Sequence, residues 1–212
     1  MLKLYRININ HFKDPLEDKR LLDLVGDSRR QKVLRYRMPD DRKRSLGAGI
    51  IIRKILYENS LCEDCLKYSE NGKPVADDVF FNVSHGGDYV VGVASDCEVG
   101  CDIEKNGNAP LEVAERYFYL SELEYIRSAA DKSRAFFTLW TLKESYMKMT
   151  GRGMSLPLDS FEIVPQGEEF LLGRSVEKGC FFKTAEFDSH IFSVSRELPF
   201  TFDPTDFHEI LL

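Results

Sequence analysis

Long apolar runs are missing from this 212-residue chain: pure apolar stretches such as Ile50 to Ile52 last only a few residues, against the roughly 20 that a membrane-crossing helix needs. The opening Met1-Leu2-Lys3-Leu4-Tyr5-Arg6 lacks the apolar centre and cleavage site of a secretory signal. The five cysteines are an odd set without secretory context, which argues against a disulfide framework and predicts reduced thiols. Cys62 and Cys65 have metal-ligand spacing, but Cys97 and Cys101 are spaced by three residues along a predicted strand, the wrong geometry for a zinc knuckle. Positive charge is in deficit: 29 Lys and Arg face 35 Asp and Glu, a net −6 that argues against a general nucleic-acid coat protein. No low-complexity tract and no linker rich in Pro, Gly and Ser divides the chain. What is present, 43% hydrophobic and 12% aromatic residues, suffices for a buried core. A soluble, cytoplasmic globular protein is expected, with neither a membrane nor a nucleic acid as partner.

The net charge hides a split. Residues 29–54 carry ten basic side chains (Arg29, Arg30, Lys32, Arg35, Arg37, Arg42, Lys43, Arg44, Arg53, Lys54) and two acidic ones, Asp40 and Asp41. The segment is therefore +8 and the remainder −14. Such segregation reads either as a solvated helix face or as a polyanion site on an acidic body.

Periodicity predicts an opening strand over Leu2 to Ile9 and helices over Pro15–Val25 and Ser28–Tyr36. A longer helix starts near Met38, with Pro39 and two aspartates in its first turn, and runs to about Glu58. Strands are predicted at Val79–Val83, Tyr89–Ala94 and Glu98–Ile103, then helices at Leu111–Phe118, Ser121–Ala129 and Lys132–Met149. Further strands fall near Phe161, Phe181–Phe187, Ile191–Ser195 and Phe207–Leu211. The order of elements hints at two similar α+β halves, residues 1–105 and 106–212.

Three segments carry chemistry. In Asp102-Ile103-Glu104, residues i and i+2 of a strand share a face about 6.5 Å apart, so both carboxylates can converge on one hard cation while Cys101 and Ile103 turn to the core. Magnesium, which prefers oxygen ligands, needs only one or two such groups beside water and phosphate. A lone D-x-E is also a common solvated strand face. In the second segment, Glu144 and Lys148 stand one helical turn apart. With Phe137 and Thr141 they flank the apolar stripe of Leu139, Leu142, Tyr146 and Met149, which places the pair at the border of the core, and Trp140 reads as a core anchor. The third is Phe81-Asn82-Val83-Ser84-His85-Gly86-Gly87: either a hairpin turn, or a strand end whose Ser and His offer donors to an anion beside a closely approaching backbone.

Gly72-Lys73-Pro74, Phe81 to His85, Val99 to Glu104 and Trp140-x-x-Lys143-Glu144-x-x-x-Lys148 follow in that order. Together they resemble the signature blocks of the 4′-phosphopantetheinyl transferases of the surfactin (Sfp) type, and Gly151 to Pro157 resembles that family's continuation. The likeness covers roughly residues 28–163. It implies a pseudo-twofold α+β fold of two similar halves, the 4′-phosphopantetheinyl transferase fold, with the site in the cleft between them; the length matches the monomeric, two-half class. It also implies transfer of the phosphopantetheine arm of coenzyme A to a serine of an apo acyl or peptidyl carrier protein, with Mg2+ required and adenosine 3′,5′-bisphosphate released. Asp102, Glu104 and Glu144 would hold the metal. One glutamate, Glu144 by preference and otherwise Glu104, would help deprotonate the carrier serine. Lys148 and His85 would contact the pyrophosphate, and Arg29, Lys32, Arg44, Ser45, Lys73 and Ser84 the remaining phosphate and nucleotide groups. Arg29 and Ser45 stand where the family leads one to expect Lys and Thr, and Asp88 brings a negative charge next to the phosphate turn. The basic segment would then serve the 3′-phosphate and pyrophosphate of coenzyme A, and its rim an acidic carrier protein.

Two rival readings share some of these residues. A metal-dependent nuclease would use the carboxylates, a lysine and the basic patch, but its Asp…Glu-x-Lys pattern fails because Lys105 follows Glu104 directly. A non-catalytic module binding coenzyme A or a carrier protein would not need three carboxylates poised for metal.

Overall fold

The computed structural model describes residues 1–167, 169–175 and 179–212. Strand β1 (Leu2–Asn8) leads through 3-10 segments at Ile9–His11 and Lys19–Leu24 into helices α1 (Asp27–Arg35) and α2 (Pro39–Glu58). A small hairpin, β2 (Lys67–Tyr68) with β3 (Pro74–Val75), precedes strands β4 (Phe80–Gly86), β5 (Tyr89–Ser95) and β6 (Val99–Lys105). Helices α3 (Leu111–Tyr117), α4 (Leu120–Ser128) and α5 (Lys132–Met149) follow. The chain then forms β7 (Ile163–Gln166), β8 (Glu169–Leu172), β9 (Phe181–Phe187), β10 (His190–Arg196) and β11 (Phe207–Glu209).

The strongly periodic elements match their predicted spans within a residue or two. The predicted helix over Pro15–Val25 is instead two local turns. Asp14 accepts the Leu16 N–H (3.0 Å) and Asp18 the Arg20 N–H (3.3 Å), and such aspartate side chains compete with the helical ladder for backbone donors. The short β2–β3 hairpin and the β7–β8 pair carry too few alternating residues to announce themselves.

The strands form two main sheets, β11-β1-β5-β4 and β6-β10-β9. Strand β6, which lies inside the expected first half (1–105), hydrogen-bonds antiparallel to β10 of the second sheet. In the other direction, β11 returns from the end of the chain to pair parallel with β1. Helix α2 covers one face of the first sheet and α5 one face of the second. One long helix therefore lies across each of the two main sheets, an α+β architecture stated twice.

Period-two alternation explains how the layers stack. Tyr89, Val91 and Val93 of β5 turn to one side and join Val99, Cys101 and Ile103 of β6 and Phe192 and Val194 of β10 in a core between the sheets. Val90 and Ala94 turn the other way, into the core under α2. Strand β5 is buried along its whole length. On β6, Gly100, Asp102 and Glu104 consequently face α5.

Helix α5 is locked in rotation by polar contacts on two sides. Toward β10, Thr141 bonds to Ser193 (2.7 Å) and Ser145 to Ser195 (2.6 Å) through buried hydroxyls. On its far side Lys143 is fully buried, 2.8 Å from Glu122 of α4, and donates to the Leu158 and Phe161 carbonyls (2.9 Å each). Its ammonium also lies over the Phe161 ring, 4.4 Å from the centroid. With Lys143 drawn inward, the next residue, Glu144, stands at the edge of the helix's buried face. Removing one member of a buried ion pair leaves an uncompensated charge and costs about 3–5 kcal/mol. Glu122→Ala is therefore expected to lower the urea unfolding free energy by roughly that amount, whereas an effect below about 1 kcal/mol would show that the pair does not hold α5.

Candidate functional site

The site is built where β4, β6 and α5 meet. Two features let these elements approach. A Cβ on Gly100 would lie 2.1 Å from the Ser145 carbonyl oxygen and 2.4 Å from the Met149 nitrogen, so glycine there lets α5 sit directly on β6. A Cβ on Gly86 would lie 2.2 Å from the Ile103 carbonyl oxygen. Farther along the same seam the Cys101 N–H donates to the Asn82 side chain (3.0 Å). Glycine in the Ser-His-Gly-Gly segment thus admits the neighbouring strand, and Gly87-Asp88 form the two-residue turn between β4 and β5.

At the centre Lys148 donates to Asp102 Oδ1 (2.5 Å) and to Ser84 Oγ (2.8 Å), and Ser84 donates to the same Asp102 oxygen (2.7 Å). Asp102 is 3% exposed, so this oxygen is fully satisfied while its twin, Oδ2, is buried without a hydrogen-bond partner. Burial disfavours the charge on Lys148, but the Asp102 carboxylate outweighs it and raises the lysine above its ordinary value. Glu104 is pushed up to about 7, first by burial and then by the negative charge of Asp102, with Lys148 and Trp140 opposing. Glu144 is raised for the same two reasons, burial and then Asp102. Three carboxylates thus share one region with a single lysine, and two of them hold their protons more tightly than usual. Among the described residues, no three His, Cys, Asp or Glu side chains are grouped so as to hold a metal ion, Asp102, Glu104 and Glu144 included.

The anion-contacting candidates divide. His85 is exposed, yet the surrounding protein disfavours its charged ring and the charges of Lys148 and Arg44 add to this, so its pKa falls below the ordinary value. Arg44 of α2 donates to the Gly87 carbonyl (2.7 Å) and pairs with Asp41 (2.8 Å), tying the helix to the turn between β4 and β5. The neighbouring Ser45 is buried with an unpartnered hydroxyl. Lys73 is docked at the end of α5 through the Met149 carbonyl (3.4 Å) and Glu98 (3.6 Å). Arg29 and Lys32 lie apart from Ser84, Asp102 and Lys148, in an open groove of about 490 Å³ lined by α1 and Tyr68. Burial and the charge of Arg29 lower the Lys32 pKa.

The basic segment is therefore not one uniform patch. Arg42 is buried against Asp14 (2.8 Å) and also caps the Tyr36 and Arg37 carbonyls. Arg30, Arg53 and Lys54 pair with Asp23, Glu63 and Glu58. Asp88, the acidic residue at the turn, pairs with Lys105 (2.6 Å), which holds its carboxyl below the usual range.

One positioning residue had no motif to reveal it. His190, at the start of β10, is 1% exposed. Its Nε2 accepts the Asp88 N–H (3.2 Å) and its Nδ1 lies 2.8 Å from the Asp188 carbonyl. The second sheet thereby supports the Gly87-Asp88 turn that follows His85. The advance sign was a histidine just before the predicted strand Ile191–Ser195.

Comparison with known proteins matches this chain in two consecutive parts. Residues 15–97 match the family described as 4′-phosphopantetheinyl transferase, N-terminal, and residues 98–197 the 4′-phosphopantetheinyl transferase superfamily. That division falls just before β6. The chain is 34% identical over 201 residues to the 4′-phosphopantetheinyl transferase ffp of Bacillus subtilis, with 88% of each chain covered. It is 29% identical over 197 residues to 4′-phosphopantetheinyl transferase Sfp of Bacillus subtilis strain 168, again with 88% of each covered. To the 4′-phosphopantetheinyl transferase gsp of Aneurinibacillus migulanus it is 39% identical over 145 residues, 66% of this chain and 61% of that one. The chain belongs to the 4′-phosphopantetheinyl transferases of the Sfp type.

The raised pKa of Glu104 has a consequence for stability. Its carboxyl keeps a proton up to about 7 in the folded chain and releases it near 4.5 when unfolded. The folded state then binds more protons in that window, so this group's contribution to stability falls as pH rises through it. In chelator-containing buffer, Glu104→Gln is expected to melt higher than the parent at about pH 8 and alike at about pH 4. Parallel melting-temperature profiles for the two proteins would show that Glu104 is not strained by its neighbours.

Proposed function

We propose that this chain transfers the phosphopantetheine arm of coenzyme A to a serine hydroxyl of an apo acyl or peptidyl carrier protein, releasing adenosine 3′,5′-bisphosphate. The observation that carries the reading is the Ser84–Asp102–Lys148 network, with one buried orphan carboxylate oxygen beside two carboxylates of raised pKa. Crowded, desolvated carboxylates with an unmet acceptor fit a hard cation, and Asp102, Glu104 and Glu144 are the residues proposed to hold Mg2+. Magnesium commonly binds through one or two carboxylates with waters and substrate phosphate, so it does not require a closed protein cage. When bound, it would neutralise charge on the pyrophosphate oxygens.

The chain's own side chains have distinct roles in this reading. Lys148, kept protonated by Asp102, supplies a fixed positive charge toward the pyrophosphate, where charge builds as the bond to the leaving phosphate breaks. Ser84 holds the Lys148 ammonium in place. His85, neutral at physiological pH, serves as a hydrogen-bond partner to phosphate. Glu144 takes the proton of the attacking serine, directly or through water; its raised pKa suits a general base. Arg44, bonded to the turn, and Ser45, Arg29, Lys32 and Lys73 are assigned to the other phosphate and nucleotide groups. The reading takes the chain as a monomer working in the cytoplasm, in keeping with five free thiols.

Incubated with coenzyme A, Mg2+ and an apo carrier protein, the purified chain should raise the carrier's mass by one phosphopantetheine arm. Chelator should stop the transfer and added Mg2+ restore it. Asp102→Ala and Glu144→Ala should each slow it by at least about 100-fold while leaving the circular dichroism spectrum unchanged. No mass change on fatty-acid, polyketide or peptide carriers would overturn the assignment, and wild-type rates in both variants would overturn the roles given to these residues.

A further inference from the structure

The proposed transfer leaves Cys62 and Cys65 unexplained. Cys62 caps and Cys65 ends a single 3-10 turn, Glu63–Cys65, whose Cys65 N–H donates to the Cys62 carbonyl (3.1 Å). A turn of this kind keeps the first and fourth Cα atoms within about 7 Å, which overlaps the separations that a disulfide bridges. The side chains already meet: the two Sγ atoms are 3.3 Å apart. Cys62 is exposed and Cys65 half-buried, so an external reagent reaches the first before the second. The other thiols are differently placed. Cys97 and Cys101 are buried in the core, and burial holds the half-buried Cys180 thiol far above its ordinary pKa.

From this geometry we infer that Cys62 and Cys65 form a thiol–disulfide exchange site, in which Cys62 attacks a small disulfide and Cys65 resolves the adduct. In the first step the Cys62 thiolate bonds to one sulfur of R–S–S–R, and R–S⁻ leaves with the electron pair of the broken bond. In the second, the Cys65 thiolate attacks Cys62 Sγ, expels the remaining R–S⁻ and closes the 62–65 disulfide. Two protein thiols are oxidised and one small disulfide is reduced. The two protons given up by the cysteines end on the two released thiols.

The order of attack follows from access, since Cys62 is exposed and Cys65 half-buried, and either sulfur can donate in their contact. The hydrogen bond with Cys65 and then the backbone N–H groups of Cys65 and Asp64 lower the Cys62 pKa, which favours its nucleophilic thiolate form. Asp64 and Glu63 lie between the thiols, with Glu63 partly neutralised by Arg53 at 3.5 Å, so an uncharged disulfide should react faster than an anionic one.

The test uses the full chain with 2-hydroxyethyl disulfide, and in parallel with oxidised glutathione, read by intact and peptide mass spectrometry. The parent protein should lose the mass of two hydrogen atoms, mapped to the peptide holding residues 62–65. Cys65→Ser should retain one adduct on Cys62, and Cys62→Ser should be modified at least about tenfold more slowly. Both positions are on the surface, and unchanged circular dichroism would confirm that the variants fold. The inference fails if the parent stays reduced, if the bridge forms through Cys180, or if the two variants are modified at equal rates. It also fails if a stoichiometric zinc ion occupies the pair and blocks exchange.

Discussion

One ion pair organises the site. Lys148 reaches from α5 to Asp102 on β6, and both touch Ser84 on β4. A helix and one strand from each of the two main sheets are thereby held at one point. An ion pair removed this far from water is costly to desolvate and is compensated only when its remaining valences are met. Ser84 meets one of them. Asp102 Oδ2 is left unmet, and that residual demand bears directly on the two glutamates nearby. The raised pKa values of Glu104 and Glu144 come first from their burial and then from the charge of the same carboxylate.

The surrounding packing makes this arrangement the one available. Period-two alternation sends Cys101 and Ile103 to the core between the sheets and Asp102 and Glu104 to α5. Gly100 removes the spacer that would hold the helix off the strand. Buried hydroxyl pairs on one side of α5 and the Lys143–Glu122 pair on the other fix its rotation. A turn of the helix by one residue would replace Glu144 with Lys143 or Ser145 and dissolve the site.

Much of this was legible in the sequence because it rests on local periodicity. The span of α5, the two-faced character of Asp102-Ile103-Glu104 and the turn after His85 all follow from spacing alone. What escaped depends on contacts between distant segments. Nothing local says that β6 pairs with β10, since its alternation would suit either sheet. Nor does composition separate Arg42, committed to Asp14, from Arg29, which lines an open groove; both count alike in a charge total. The stretch after Pro15 misled because its aspartates satisfy backbone donors locally. His190 was invisible for a related reason: its role exists only once the Asp88 turn from the other half arrives above it.

The short strand β11 gives the molecule a property that its two-part design conceals. By pairing with β1 it brings a late segment of the sequence to the edge of the first sheet, while β6 passes the other way. The two sheets therefore exchange strands in sequence, yet among the described residues no strand ladder runs from one sheet to the other. What seals the seam is the shared apolar core of Val91, Val93, Ile103, Phe192 and Phe207, so parting the sheets would expose that core to water.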